Sequence, residues 1–301
     1  MTNRINGNLD TIGQNMQNIS YKNLNSLPIK LTTHISSGFF SDIYGATTNL
    51  DPKNPVVHFS NQLPDYIEVV AKFMFDMKYN IRDVKYLNMV QKIIRSNISP
   101  CFPIIYSDFK VKNLDFIGIN GDGVVKLKNL DNKITNGEAL GVLMEYLGNT
   151  TLESYIFFKP DVKELKTILF QIYHAIYALI KYCKMNHNDL HFKNVMLYTL
   201  KKPIYLIYKF DNKIYKVYCK KYLPIIIDIN GNLYKQLIRP MKDIKALHRQ
   251  LQKLTPDILK KTDINTNTTS LKKFFDMNFN EFLVKKFSKG KFTNLQIYEF
   301  P

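Results

Sequence analysis

Two polar residues that could hold a metal ion or move a proton lie close together in the segment HNDLHFKNVML, namely Asp189 and Asn194. A second carboxylate, Asp228, ends the apolar run LPIIID. A carboxylate at the end of a buried strand is costly unless a cation or hydrogen-bond donors lie nearby. Mg²⁺ prefers oxygen ligands, so an aspartate and an asparagine together fit a magnesium–phosphate site. An isolated pair of this kind is, however, more often a turn or a cap than a site.

Two upstream segments could contact phosphate. ISSGFFSDIY places small residues around two phenylalanines between strand-like flanks, and such a turn lets backbone N–H groups approach an anion. An ordinary hairpin with one glycine is the competing interpretation. Lys72 ends the apolar run VVAK, where a lysine either extends to solvent or faces a phosphate.

The elements that must position these residues change type along the chain. Residues 1–30 are polar and Asn-rich and predict an N-terminal extension, while residues 31–147 are rich in strand-like runs with one helix near 82–95. From Gly148 the pattern is helical, with apolar residues from Leu165 to Cys183 at the spacing of a buried helix. Further helices are predicted at 241–254 and 271–287, and a β segment with a hairpin turn at DNK at 204–229. A β-rich half followed by a helical half predicts two lobes with a ligand cleft.

Taken in order, these segments resemble the eukaryotic-type protein kinase family from residue 31 to about residue 255. ISSGFFSDIY is similar to the glycine-rich loop, VVAK to the third-strand lysine motif, LMEYLGNTTLESYI to the hinge with Met144 as gatekeeper, HNDLHFKN to the catalytic loop, and IIIDIN to the metal-binding segment. MKDIKALHRQL resembles the helix whose aspartate, here Asp243, anchors the catalytic loop.

The resemblance implies a site and a reaction. Its catalytic residues would be Asp189, Lys72 and Lys193, and its metal ligands Asn194 and Asp228. The ATP-binding residues would be Ser36, Ser37, Gly38, Phe39, Phe40, Ser41, Ile43, Ala71, Lys72, Glu145 and Leu147. The implied activity is ATP- and Mg²⁺-dependent phosphorylation of serine or threonine in proteins. His187 is expected to orient the loop by hydrogen bonding, and His174 to be a structural histidine.

The implied fold is α+β and bilobal, with an extension at 1–30, a β-rich N-lobe at 31–147, a helical C-lobe at 148–301 and a short activation segment. ISPCFPIIYSDFK and the long hairpin before PIIIDIN are similar to kinases of large cytoplasmic DNA viruses. In those kinases, too, the asparagine and the metal-binding aspartate are far apart, and here they lie 34 positions apart.

The chain departs from the family pattern at several positions. Serines stand at the first and third glycine positions of the loop, and the partner of Lys72 is assigned to Asp83. The usual catalytic-loop arginine is Asn188, and His191 stands where a lysine is usual. No APE triplet occurs, and Asp243 follows Asp228 by only 15 positions, so we expect a constitutively active enzyme.

Three other functions fit part of the pattern. Choline- and aminoglycoside-type small-molecule kinases share the HND segment and lack APE. A nucleotide-binding pseudokinase scaffold would explain Asn230 and the altered loop. A nucleic-acid-binding module would use the basic charge, although no zinc-finger, helix-turn-helix or RNA-binding aromatic motif is visible.

The composition limits the kinds of partner and compartment that we expect for the protein. The chain has 42 Lys and Arg against 25 Asp and Glu, a net charge of +17, which favours polyanions, although abundant Lys, Asn, Ile and Tyr are also typical of an AT-rich genome. Three scattered cysteines argue for a reducing compartment. We expect a cytoplasmic protein (host cytoplasm, or packaged in the virion, if viral) that acts on protein substrates of acidic or nucleic-acid-associated kind. Membrane association and direct sequence-specific nucleic-acid binding are not expected.

Overall fold

The chain is mixed α+β and divides into two compact units. The computed structural model describes residues 19–21, 29–37, 41–49, 66–74, 77–112, 119–120, 123–124, 139–210, 212–229, 232–233, 242–254, 258–259, 268–284 and 296–299. Within these, one unit lies in Asn6–Asn88 and Ile104–Tyr146, and the other in Met89–Pro103 and Leu147–Pro301.

The elements are numbered in chain order. The strands are β1 Ile19–Tyr21, β2 Ile29–Ser37, β3 Ser41–Asn49, β4 Tyr66–Met74, β5 Ile105–Val111, β6 Ile119–Asn120, β7 Gly123–Val124, β8 Ala139–Glu145, β9 Met185–Asn186, β10 Val195–Thr199, β11 Ile204–Phe210, β12 Lys213–Cys219, β13 Tyr222–Ile226, β14 Asn232–Leu233 and β15 Gln296–Glu299. The α-helices are α1 Met77–Arg95, α2 Leu152–Phe157, α3 Val162–Cys183, α4 Lys242–Leu254 and α5 Thr268–Asn278. Two 3₁₀ turns are Phe192–Asn194 and Asn280–Phe282.

The first unit contains a six-stranded sheet in the order β1-β5-β8-β4-β3-β2, antiparallel except for the parallel pair β1–β5. Its core includes a row of aromatic rings, with Phe73 edge-on to Tyr44 at 6.2 Å and to Phe109 at 6.1 Å. Gly141 lies opposite Phe109 in the sheet register, and a Cβ there would meet the ring at 2.3 Å. The lack of a side chain at Gly141 therefore leaves the space that the Phe109 ring occupies beside β8.

The second unit is built around α3, which the apolar spacing from Leu165 to Cys183 predicted correctly. The side chain of Asp161 caps its first turn by accepting from the backbone N–H of Lys163 at 2.9 Å. Lys184 ends the helix in the left-handed conformation, with φ of 53°. Between residues 167 and 180 every side chain of the helix is buried, so α3 is surrounded by protein on all sides.

The second unit also holds the predicted hairpin, in which β11 and β12 pair antiparallel across residues 211–212. β10 precedes the hairpin in the sequence and β13 follows it, and these two strands pair antiparallel with each other. These two strands begin just after Asn194 and end just before Ile227, so they bring the two distant segments of the predicted site together.

Several elements differ from the sequence-based expectation, including β1 and α5. Ile19–Tyr21, within the predicted extension, forms β1 beside β5. The last predicted helix was expected at 271–287 but ends at Asn278, because Phe279 leaves the helical conformation with φ of −130°. Phe279 instead packs on Phe170 of α3 at 5.4 Å, so tertiary packing of an aromatic ring overrides the helical periodicity.

Candidate functional site

The segment from Asn186 to Asn194 connects the end of α3 to β10, and it carries most of the predicted chemistry. Asn186 pairs with Asn232 in the short β9–β14 ladder. Asn188 then turns the chain with φ of 70°, and the 3₁₀ turn Phe192–Asn194 leads into β10. A left-handed asparagine is tolerated better than most residues, but it still costs free energy.

Asp243, in the first turn of α4, holds this segment by both carboxylate oxygens. The backbone N–H of His187 donates to Oδ2 at 2.5 Å, and the backbone N–H of Asn188 donates to Oδ1 at 3.0 Å. The residue is 1% exposed, so its charge is offset by these donors and by the N-terminal end of the helix. The anchoring role predicted for Asp243 is confirmed.

His187 is buried beneath the segment and forms a second cross-connection. Its Nε2 lies 2.7 Å from the carbonyl oxygen of Ile227, and because a carbonyl only accepts, the ring donates from Nε2. Burial lowers the pKa of His187, while the Ile227 carbonyl and the carboxylates of Asp243, Asp228 and Asp189 act to raise it. The contact with Ile227 is a hydrogen bond beneath the segment, as the sequence predicted for His187.

Asn194 connects the predicted base to the predicted metal segment. Its side-chain Nδ2 donates to the carbonyl oxygen of Asp189 at 2.9 Å, and its own carbonyl oxygen accepts from the N–H of Ile227 at 2.9 Å. Since Nδ2 is used for Asp189, the amide oxygen is the atom left for a cation. Ile227 directly precedes Asp228, so Asp189, Asn194 and Asp228, separated by up to 39 positions in the sequence, lie in one cluster of a single unit.

Asp228 itself is exposed and adopts a left-handed backbone conformation, with φ of 57°. Aspartate and asparagine enter this region more readily than most residues, and strained backbone positions are enriched at functional sites. Asp228 and Asn188 both have this conformation. Among the described residues, no group of three or more His, Cys, Asp and Glu side chains is arranged to hold a metal. A carboxylate and an amide oxygen are groups of the kind that Mg²⁺ prefers as ligands.

His191 and Lys193 are placed differently with respect to Asp189. The Nε2 of His191 lies 3.9 Å from Oδ2 of Asp189. Lys193, predicted to reach phosphate, instead has its Nζ 3.8 Å from Oε2 of Glu153 on α2. The residue beside the predicted base is therefore His191, which sequence reasoning named only as a departure from the family pattern.

The other predicted site residues belong to the sheet of the first unit. Lys72 is half-buried on β4, with Ile43 of β3 on one side and Val142 of β8 on the other. Ala71, next to it, is fully buried. Ser36 and Ser37 end β2 and Ser41 begins β3. The loop-tip residues Gly38, Phe39 and Phe40 lie outside the described residues, and Asp83 is on α1.

Glu145, predicted to face adenine, has a structural contact that the sequence did not indicate. Its side-chain Oε1 accepts from the backbone N–H of Ile104 at 2.8 Å, and its own N–H donates to the carbonyl of Ile104 at 3.1 Å. The glutamate is 8% exposed, so the side chain fixes the end of β8 rather than facing solvent. Leu147, also predicted to contact ATP, is half-buried two residues farther on.

Comparison with known proteins adds one similarity. No protein-family model matches the chain. Over 114 residues, 36% of the chain, it is 32% identical to uncharacterized protein 179R of Invertebrate iridescent virus 6. The aligned segment covers 9% of that viral protein's length.

Proposed function

We propose that the protein is an ATP- and Mg²⁺-dependent serine/threonine protein kinase of viral type, with a bilobal protein-kinase-like fold and constitutive activity. The observation that carries the proposal is the cluster in which Asn194 connects Asp189 to the Ile227–Asp228 segment. The anchoring of the same segment by Asp243 supports it. The similarity to a protein of Invertebrate iridescent virus 6 agrees with a viral source.

In this proposal each residue of the cluster has one task. Asp189 accepts a hydrogen bond from the attacking hydroxyl and then takes its proton, while the hydroxyl oxygen bonds to the γ-phosphorus and the bond to the ADP oxygen breaks. Asn194 and Asp228 would hold Mg²⁺, which neutralises charge that develops on the phosphates. Lys72 is assigned to the α- and β-phosphates.

His191 and Lys193 complete the assignment. His191 lies within 3.9 Å of the Asp189 carboxylate, so we assign it to orient the base. The ion pair of Lys193 with Glu153 involves side chains 68% and 52% exposed. Exposed ion pairs contribute about 0–1 kcal/mol, so Lys193 can exchange Glu153 for the γ-phosphate at little cost.

The experiment is a transfer assay with radiolabelled ATP, Mg²⁺ and either casein or a basic protein. Wild-type protein should label the protein substrate, and Asp189→Ala and Asp228→Ala should each reduce labelling at least about a hundredfold. Asp276→Ala is the matched control, because Asp276 is an exposed carboxylate paired with Lys213 on the surface. Thermal unfolding should show that all three variants remain folded.

Each other outcome has a defined meaning. Labelling of choline or an aminoglycoside in place of protein would identify a small-molecule kinase. Nucleotide binding without transfer by the wild type would identify a pseudokinase scaffold. Full activity of Asp189→Ala would contradict the role assigned to that residue.

A further inference from the structure

The hairpin formed by β11 and β12 concentrates positive charge. Residues 201–221 contain seven lysines and one aspartate. The backbone N–H of Leu200 donates to the carbonyl of Lys221 at 2.8 Å, which holds the turns at residues 200–202 and 220–221 side by side. Lys201, Lys202 and Lys220 are exposed there, so three charges lie together at one end of the hairpin.

The outward face of the same hairpin carries two aromatic rings. Tyr205 and Tyr218 are cross-strand partners with ring centroids 4.8 Å apart, and each is 43% exposed. The Nζ of Lys216 lies 4.2 Å from the centre of the Tyr205 ring. The alternate residues Leu206 and Val217 are buried on the opposite face, so the period of the strands fixes the two tyrosines outward.

Two carboxylates that contact the hairpin, Asp276 and Glu164, are engaged in contacts of their own. Asp276 pairs with Lys213, and Glu164 accepts from the N–H of Lys221 and from the hydroxyl of Tyr155. We refer to the set Lys201, Lys202, Tyr205, Lys216, Tyr218 and Lys220 as the lysine–tyrosine face.

We propose that the lysine–tyrosine face binds single-stranded nucleic acid without sequence preference. Lysines attract the phosphate backbone, and exposed aromatic rings provide surfaces on which unpaired bases stack. An acidic peptide would use the same lysines but would gain little from two exposed rings, so the combination favours nucleic acid. Lys201, Lys202 and Lys220 lie at the end of the hairpin that continues into β10 and β13. These two strands are five residues long each, so they separate the three lysines from Asn194 and Asp228 by about 17 Å. Single-stranded nucleic acid bound at these lysines would therefore leave the cluster of Asp189 accessible to substrate.

The first test measures binding of the full chain to a fluorescein-labelled oligothymidylate by anisotropy at several salt concentrations. The triple variant K201Q/K202Q/K220Q should bind at least about tenfold more weakly, and the slope of log K against log salt should fall by about 2, since each phosphate contact on a single strand contributes about 0.7. The matched control is K92Q/K181Q/K184Q, which removes the same charge.

Lys181 and Lys184 lie at the C-terminal end of α3, and Lys92 of α1 interacts electrostatically with Cys183 at that end. Lys184 follows Glu164, which contacts the hairpin, by 20 residues, a distance of about 30 Å along the helix. The control should bind within about twofold of the wild type. If both triple variants lose affinity equally, binding depends on net charge alone and the assignment to this face is wrong.

The second test distinguishes nucleic acid from other polyanions. The chain contains no tryptophan, so Tyr218→Trp supplies a single fluorescent reporter on the face. Oligothymidylate should quench it by stacking, whereas heparin and polyglutamate, which have no bases, should not. Y205A/Y218A should weaken oligothymidylate binding about five- to hundredfold, and Y205F/Y218F should retain it.

One result would refute the proposal, and one control separates it from the proposed kinase activity. If polyglutamate competes as well as oligothymidylate and neither changes the tryptophan signal, the face recognises acidic protein and the nucleic-acid proposal fails. The Asp189→Ala variant should bind the oligonucleotide like the wild type. The outcome is thus independent of whether the chain transfers phosphate.

Discussion

Asp243 accepts a hydrogen bond with each of its two carboxylate oxygens, so a substitution can remove one of these bonds or both. It accepts from the N–H groups of His187 and Asn188, and it is almost fully buried. Asparagine has the same shape but only one accepting oxygen, and its NH₂ group would face an N–H donor. One buried N–H would then lack a partner, which costs about 1–3 kcal/mol.

We therefore predict that Asp243→Asn lowers the free energy of unfolding by about 1–3 kcal/mol and reduces phosphate transfer, because the segment carrying Asp189 loses an anchor. Urea denaturation and the transfer assay measure the two effects. Asp276→Asn, at an exposed ion pair, should change stability by less than about 0.5 kcal/mol. Unchanged stability and activity in Asp243→Asn would remove the anchoring role.

The buried ring of His174 is expected to make the stability of the fold depend on pH. It is fully buried, stacked on Phe170 at 6.2 Å and edge-on to Tyr208 at 4.6 Å. Burial lowers the pKa of His174 from 6.5 to about 3. Below pH 6.5 the unfolded chain binds a proton here that the folded chain does not, so stability is complete above that pH and falls as pH decreases toward 3.

The expected loss is about 1.4 kcal/mol per pH unit below 6.5 from this residue alone. Between pH 7.5 and pH 5 the wild type should therefore lose about 2 kcal/mol more stability than His174→Phe, in which the group that titrates is absent. Any packing cost of phenylalanine is the same at both pH values and cancels in the comparison. Equal losses in urea denaturation would show that His174 is not held neutral by burial.

Which site residues the sequence could predict depends on how local their contacts are. Asp189, Asn194 and Asp243 are recognisable because their order and spacing are specific, and Asp243 makes the predicted contact. The neighbours of Lys193 and Glu145 are not recognisable in this way. Their partners, Glu153 and Ile104, lie 40 and 41 positions away in the sequence. Such contacts depend on how strands and helices pack, which residue types and spacing do not specify.

At the level of elements, β8 depends on the absence of a side chain at Gly141. A Cβ would meet three atoms of the Phe109 ring within 2.9 Å. Phe109 is 1% exposed and contacts Phe73, so the ring has little room to move. We predict that Gly141→Ala destabilises the protein by about 1–3 kcal/mol, as overpacked cores generally do.

The double variant Gly141→Ala with Phe109→Leu tests the cause. If the clash with the ring is responsible, the second substitution should recover part of the stability lost in the first, and the two effects should be less than additive. Thermal unfolding of the two single variants and the double variant completes the cycle. Additive losses would mean that Gly141 is required for a reason other than Phe109.

The same dependence on packing explains which elements the sequence could predict. α3 is 22 residues long and repeats its apolar spacing over several turns, so periodicity alone identifies it. β1 has three residues, too few for a pattern, and it exists because it pairs with β5. α5 stops at Asn278 because the ring of Phe279 packs on Phe170, and a one-dimensional pattern does not record that contact.

For the whole molecule, the net charge of +17 either directs the choice of partners or reflects genome composition. The described residues include no helix that is long and apolar enough to cross a membrane. Part of the charge is concentrated on the lysine–tyrosine face, where lysines are clustered rather than spread evenly. A field of this kind raises the association rate of a polyanion and is weakened by salt over a Debye length of about 10 Å at 0.1 M.

Whether the charge takes part in substrate recognition can be tested with salt. If the charge selects acidic substrates, raising salt from 50 to 200 mM should reduce kcat/KM for casein several-fold, mainly through KM, while a neutral peptide substrate should change by less than about twofold. If the charge takes no part in recognition, both substrates should respond alike. The variant K201Q/K202Q/K220Q separates the contribution of the face from that of the remaining surface. It should lower the salt sensitivity with casein only if the substrate contacts these lysines, and an unchanged response would place the steering charge elsewhere on the molecule.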